Sequence, residues 1–127
     1  MTILRLQHAS VPMPPGGGAT ARQFYTDIVG LEELPLPKRL DPERAIWYRV
    51  GEGGHEFHLF TDANLAHASS LQHFCLEVEN VDGYRELLES KGYPIFEEPD
   101  ITYRYRFCTH DPFGNRVEFC EILGDYD

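Results

Sequence analysis

The sequence is poor in positive charge, in cysteine and in long apolar runs, and each shortage excludes something. Eleven Lys and Arg stand against 21 Asp and Glu, a formal net charge of −10. A chain this acidic repels phosphate backbones and anionic headgroups at long range, so neither nucleic acid nor a membrane surface is an expected partner. A small anionic ligand stays compatible, because a cleft can hold local arginines whatever the total charge. The cysteines Cys75, Cys108 and Cys120 are odd in number, lie inside strand-like runs and lack the close spacing of a zinc knuckle or redox pair. Reduced, mostly buried thiols are expected. No run approaches the roughly 18–20 apolar residues that span a bilayer, and MTILRLQHAS lacks a basic segment followed by a long apolar stretch. A cytoplasmic protein is expected.

What is present is ordinary globular material: 127 residues, 42% hydrophobic and 25% charged, enough for one domain or two half-size modules sharing a core. Two halves of the chain repeat one order of elements. The first half reads as strand Leu4 to Val11, a Pro/Gly loop, helix Ala19 to Val29, then strands near Leu31 to Leu36, Arg44 to Val50 and His55 to Phe60. The second reads as strand Leu71 to Glu79, helix Val81 to Lys91, then strands near Pro94 to Glu97, Arg104 to Thr109 and Asn115 to Leu123. Asn80 is placed to cap the second helix, and Gly30 and Gly92 to end the two helices in the left-handed conformation. Module one is expected over residues 1–62, a small polar linker over 63–69, and module two over 70–127.

Strand alternation divides the side chains between two faces. Phe74, Leu76 and Val78 form an apolar face that meets the helix, which leaves His73, Cys75 and Glu77 opposite. By the same parity Val117 and Phe119 face the helix and Glu118 turns away; Phe57 and Leu59 are apolar, with Glu56, His58 and Phe60 on the other side. His8 opens the first module as His73 opens the second, and His58 closes the first as Glu118 closes the second. Four such side chains at repeat-equivalent positions suit a borderline or hard divalent ion. Taken singly, each reads equally as a satisfied structural histidine or an ion-paired carboxylate.

The runs LQHASV, ARQFYTDIVGLEE, LQHFCLEVENVD and DPFGNRVEF resemble the vicinal oxygen chelate superfamily, which includes glyoxalase I, fosfomycin-modifying enzymes, extradiol dioxygenases and bleomycin-resistance proteins. The resemblance covers nearly the whole chain. It implies an α+β fold of two tandem βαβββ modules forming a curved mixed sheet, a half-barrel with helices on its outer face, and a homodimer. It also implies a divalent metal (zinc, iron, manganese, nickel or cobalt) held by His8, His73 and Glu118, and a small-molecule substrate. At the place where glyoxalase I carries a glutamate this chain has His58, a candidate fourth ligand, with Glu56 two residues earlier as the alternative. The chemistry implied is of lyase, isomerase or dioxygenase type; a metal-free drug-binding protein of the bleomycin-resistance kind is the rival.

Other residues enter by their chemistry. Glu56, His110, Tyr103 and Tyr105 are the candidates for moving a proton, with Glu56, Tyr103 and His110 taken as the catalytic set. Arg104 and Arg106 alternate with aromatics in ITYRYRFCTH and can pair with a substrate carboxylate or phosphonate, or else form a solvated strand face. Trp47 and Arg49 are candidates to line the cavity. DPFGN reads as a hairpin turn, Pro112 fixing one dihedral and Gly114 permitting positive φ. It sets the register on which the direction of Glu118 depends. Whether the site forms within one chain or between two is open at this level, since module exchange leaves every local pattern unchanged.

Overall fold

Each half of the sequence folds into the same series of elements in a computed structural model, which describes residues 1–126. The chain divides into two units, Met1–Ala66 and His67 onward. The first contains β1 (His8–Met13), α1 (Gly18–Arg22) continuing into a π-helical segment (Gln23–Ile28), β2 (Glu32–Leu34), β3 (Ala45–Val50) and β4 (His55–Thr61). The second contains β5 (His73–Glu77), α2 (Val81–Ser90), β6 (Phe96–Glu97), β7 (Arg104–His110) and β8 (Arg116–Ile122). The sheets run β1-β4-β3-β2 and β5-β8-β7-β6, with the first pair of each parallel and the other pairs antiparallel. The class is α+β, two βαβββ modules, each with its own four-stranded mixed sheet. Among the described residues no helix is long and apolar enough to cross a membrane.

Several strands are shorter than the sequence reading, β2, β5, β6 and β8 among them, and the first strand and first helix differ most. β1 begins at His8 rather than Leu4, and Leu4 and Leu6 are exposed. The strand instead runs on through Pro12 to Met13, and a residue without an N–H is tolerated there because β1 is an edge strand. The first helix is not a uniform α-helix. Val29 N–H donates to Phe24 O across five residues at 2.9 Å, a wide turn in a segment where Phe24 and Tyr25 are both fully buried.

α2 follows its local chemistry. Asn80 Oδ1 accepts from Gly83 N–H at 3.0 Å, and Gly92 takes φ 85° just past the last turn. Its apolar side covers the sheet through Tyr84, stacked on Phe119 with ring centroids 5.0 Å apart. In the first unit Tyr25 packs on Phe57, centroids 4.8 Å apart. The face of each sheet away from its helix is where the polar candidates lie.

Candidate functional site

The two modules share one register. In the parallel pair β1–β4, His8 stands opposite Glu56, and His58 follows two residues on. In β5–β8, His73 stands opposite Arg116, and Glu118 follows two residues on. Each module thus sets its opening histidine diagonally beside its closing candidate on one face.

In the first unit the rings of His8 and His58 are stacked, centroids 4.2 Å apart, and His58 is also stacked on Trp47 at 4.0 Å with the planes 3° apart. His58 Nε2–H donates to Glu56 Oε1 at 2.8 Å. That bond holds the Glu56 carboxyl below its ordinary range, while burial pushes the His58 imidazole down. His8 Nδ1–H donates to Gln7 Oε1 at 2.7 Å, which leaves Nε2 with its lone pair. His8, Ser10, Trp47, His58, Arg39 and Arg44 line part of an open cleft of about 600 Å³. Arg49 lies opposite Glu56 but turns to Glu32, Nε to Oε2 3.1 Å.

In the second unit His73 Nδ1–H donates to the Leu71 carbonyl at 2.8 Å, and its Nε2 lies 3.4 Å from Glu118 Oε1. Glu118 is buried and crowded: Arg106 Nη1 donates to Oε1 at 3.1 Å and Cys75 Sγ donates to Oε2 at 3.0 Å. Cys75 as a residue is exposed, but its thiol is partly covered where it meets Glu118, and this covering, followed by the bond to Glu118, pushes it far up. The DPFGN turn sets this register. Asp111 Oδ1 accepts from Phe113 and Asn115 N–H at 2.8 and 2.9 Å, Gly114 takes φ 86°, and Glu118 falls opposite Cys108.

The other candidates of this unit are spread along the same sheet. Arg106 is the arginine on Glu118; Arg104 instead lays its guanidinium over the Tyr126 ring at 4.7 Å. His110 packs against Phe96, centroids 4.8 Å apart, with a buried Nε2 that has no partner among the described residues. Tyr103, at φ 59°, precedes the end of β7 that pairs with Ile122, four residues along β8 from Glu118. It is not brought to the carboxylate within this unit.

Sequence reasoning missed three features. Gln7 orients His8; its position beside the histidine was the only signal. Glu98 pairs with Arg116 at 2.8 Å, a contact from a segment without regular periodicity. Cys75, expected buried, is exposed beside Glu118, although its parity with His73 had already placed it on that face.

The donors fit a metal in one respect and resist it in another. Both strand-opening histidines have Nδ1 engaged and Nε2 available, the arrangement that fixes a ligand tautomer. The 3.4 Å between His73 Nε2 and Glu118 Oε1 also suits neighbouring donors on an ion with bonds of about 2.0–2.2 Å. Against this, the Arg106 guanidinium already supplies Glu118 with a cation.

The family model described as Glyoxalase/Bleomycin resistance protein/Dioxygenase superfamily matches residues 5–119, and the chain belongs to that superfamily. A glyoxalase family protein from Bacillus anthracis is similar at 30% identity and a TM-score of 0.84, over 96% of this chain and 98% of that one. Lower-identity structures share the fold. A lactoylglutathione lyase from Agrobacterium tumefaciens has 20% identity and a TM-score of 0.71, over 94% of this chain and 95% of that one. An antibiotic binding protein from a Streptomyces species has 20% identity and a TM-score of 0.74, over 96% of this chain and 98% of that one. No curated protein matches the sequence.

Proposed function

We propose that the chain is a divalent-metal-dependent enzyme of lyase, isomerase or dioxygenase type acting on a small oxygen-bearing anion. His8, His73 and Glu118 are the ligands and His58 the fourth, supplied by one chain or by both subunits of a cytoplasmic homodimer. The observation that carries the reading is the His73 imidazole, pinned through Nδ1 to Leu71 O with Nε2 left 3.4 Å from the buried Glu118 carboxylate. His8 repeats the arrangement through Gln7. A bound divalent ion supplies Lewis-acid polarisation of a substrate oxygen.

The residues of this chain do the rest. Arg106, already within reach of Glu118 Oε1, offers its guanidinium to a substrate carboxylate or phosphonate. Trp47 presents an indole to the cleft and holds His58 flat against it. Glu56, kept ionised and joined to His58 Nε2, is the proton acceptor of the set. With Nε2 so engaged, His58 has Nδ1 left as its donor atom.

One observation favours a second reading, a metal-free small-molecule binding protein: the cation on Glu118 is an arginine of the same unit. Elemental analysis of protein purified without added metal separates the two. A stoichiometric transition metal that is lost in His73→Ala supports the enzyme. Metal-free protein that binds apolar dyes supports the binder.

A further inference from the structure

The second unit gathers a different set of donors on the far side of the same carboxylate. Sγ of Cys75, Sγ of Cys120 and a carboxylate oxygen of Glu118 all lie within 4.8 Å of one another. The register brings this about. Cys75 stands opposite Glu118 across the parallel pair β5–β8, and Cys120 follows two residues along β8 on the same face. Glu118 divides its oxygens, Oε1 toward His73 and Arg106 and Oε2 toward the Cys75 thiol.

We propose that Cys75, Cys120 and Glu118 Oε2 form a site for a thiophilic divalent ion of the zinc and cadmium type, held wholly within the second unit. It goes beyond the proposed function, with which it shares only Glu118. Tetrahedral zinc, with bonds of about 2.3 Å to sulfur and about 2.0 Å to oxygen, sets its donors roughly 3.5–3.8 Å apart. The cluster therefore closes on an ion by side-chain rotation of about an ångström, without backbone movement. Charge balances as well: two thiolates and a carboxylate face one divalent ion and the Arg106 guanidinium. The exposed Cys75 gives the ion its way in, while Cys120 and Glu118 are buried beneath it. This feature stands apart from the repeat, because the equivalent positions of the first unit are Ser10, His58 and Phe60, which hold no thiol. Thiolate also selects against hard ions such as Mn²⁺.

The test is titration of the full chain with Cd²⁺, read as ultraviolet thiolate-to-cadmium charge-transfer absorption. The band is expected to saturate at one equivalent, to disappear in Cys75→Ser and in Cys120→Ser, and to persist in His8→Ala. In unaltered protein, Cd²⁺ is expected to protect Cys75 from alkylation, mapped by mass spectrometry, and a chelator to restore the reaction. This second readout needs no variant to fold. The proposal is overturned by absence of the band, by its survival in both serine variants, by its loss in His8→Ala, or by alkylation of Cys75 that Cd²⁺ does not slow. Glu118 is common to both sites, so the variants of unshared ligands tell the readings apart: Cys75→Ser and Cys120→Ser test this site, and His8→Ala and His73→Ala with Mn²⁺ test the other.

Discussion

The imidazole of His58 lies parallel to the indole of Trp47, ring centroids 4.0 Å apart and planes 3° apart. This contact makes His58 part of a wall rather than a mobile side chain, with His8 stacked on its other face. Aromatic pairs of this kind contribute about 0.5–1.5 kcal/mol beyond their area. A double-mutant cycle of Trp47→Leu and His58→Ala, followed by urea unfolding, is expected to give a coupling of about 1 kcal/mol. A coupling near zero removes the wall from the account.

Arg106 and a metal ion compete for Glu118. Removing the guanidinium 3.1 Å from Oε1 lifts that repulsion, so Arg106→Ala is expected to bind Mn²⁺ several-fold more tightly than the unaltered protein, about 1 kcal/mol. Calorimetry measures it. Weaker binding in a folded Arg106→Ala protein means that the arginine holds Glu118 in place for the ion instead.

Much of this site was legible before any coordinates, and the reason is parity. The alternation in LQHFCLEV and RVEF assigns His73 and Glu118 to the face away from the helix, and a turn as specific as DPFGN fixes how β8 returns along β7. The order of elements followed from the repeat. What escaped was set by tertiary choice. Nothing local says that Arg106, rather than Arg104, turns to Glu118, since both have the same parity and the difference lies in Tyr126 and Pro99. Leu4 and Leu6 imitate a strand but have no ladder to join, and Phe24, Tyr25, Ile28 and Leu31 fit an ordinary α-helical stripe, so nothing local announces the π-helical segment over Gln23–Ile28.

Tyr48 makes stability fall at high pH. Its hydroxyl is buried and bonded to Thr26 Oγ1 at 2.8 Å, and burial raises its pKa above the ordinary 10.0. The neutral form is therefore favoured in the fold, and its contribution is complete below pH 10 and lost as pH rises through the raised value. Tyr48→Phe is expected to cost about 1 kcal/mol at neutral pH. Above pH 10 the difference should shrink, with a slope of about 1.4 kcal/mol per pH unit. Urea midpoints at pH 7, 9 and 10.5 check it; a constant difference contradicts it.

Glu98 has the opposite sign. The Arg116 guanidinium, bonded at 2.8 Å, holds its carboxyl below the ordinary 4.5, so its contribution is present above that value and lost as pH falls through the lowered one. Glu98→Gln is expected to destabilise by roughly 1–2 kcal/mol at pH 7, with the difference fading in acid. Thermal unfolding followed between pH 7 and pH 3 reads it, and an undiminished difference at pH 3 would exclude charge as the cause.

The most direct test of the metal assignment is the electron paramagnetic resonance signal of free hydrated Mn²⁺ in the presence of excess protein. The unaltered chain is predicted to remove one equivalent of that signal, and His8→Ala and His73→Ala each to restore it close to the free-ion level. A free-ion signal that the unaltered protein leaves at full strength, or binding undiminished in both variants, contradicts the account.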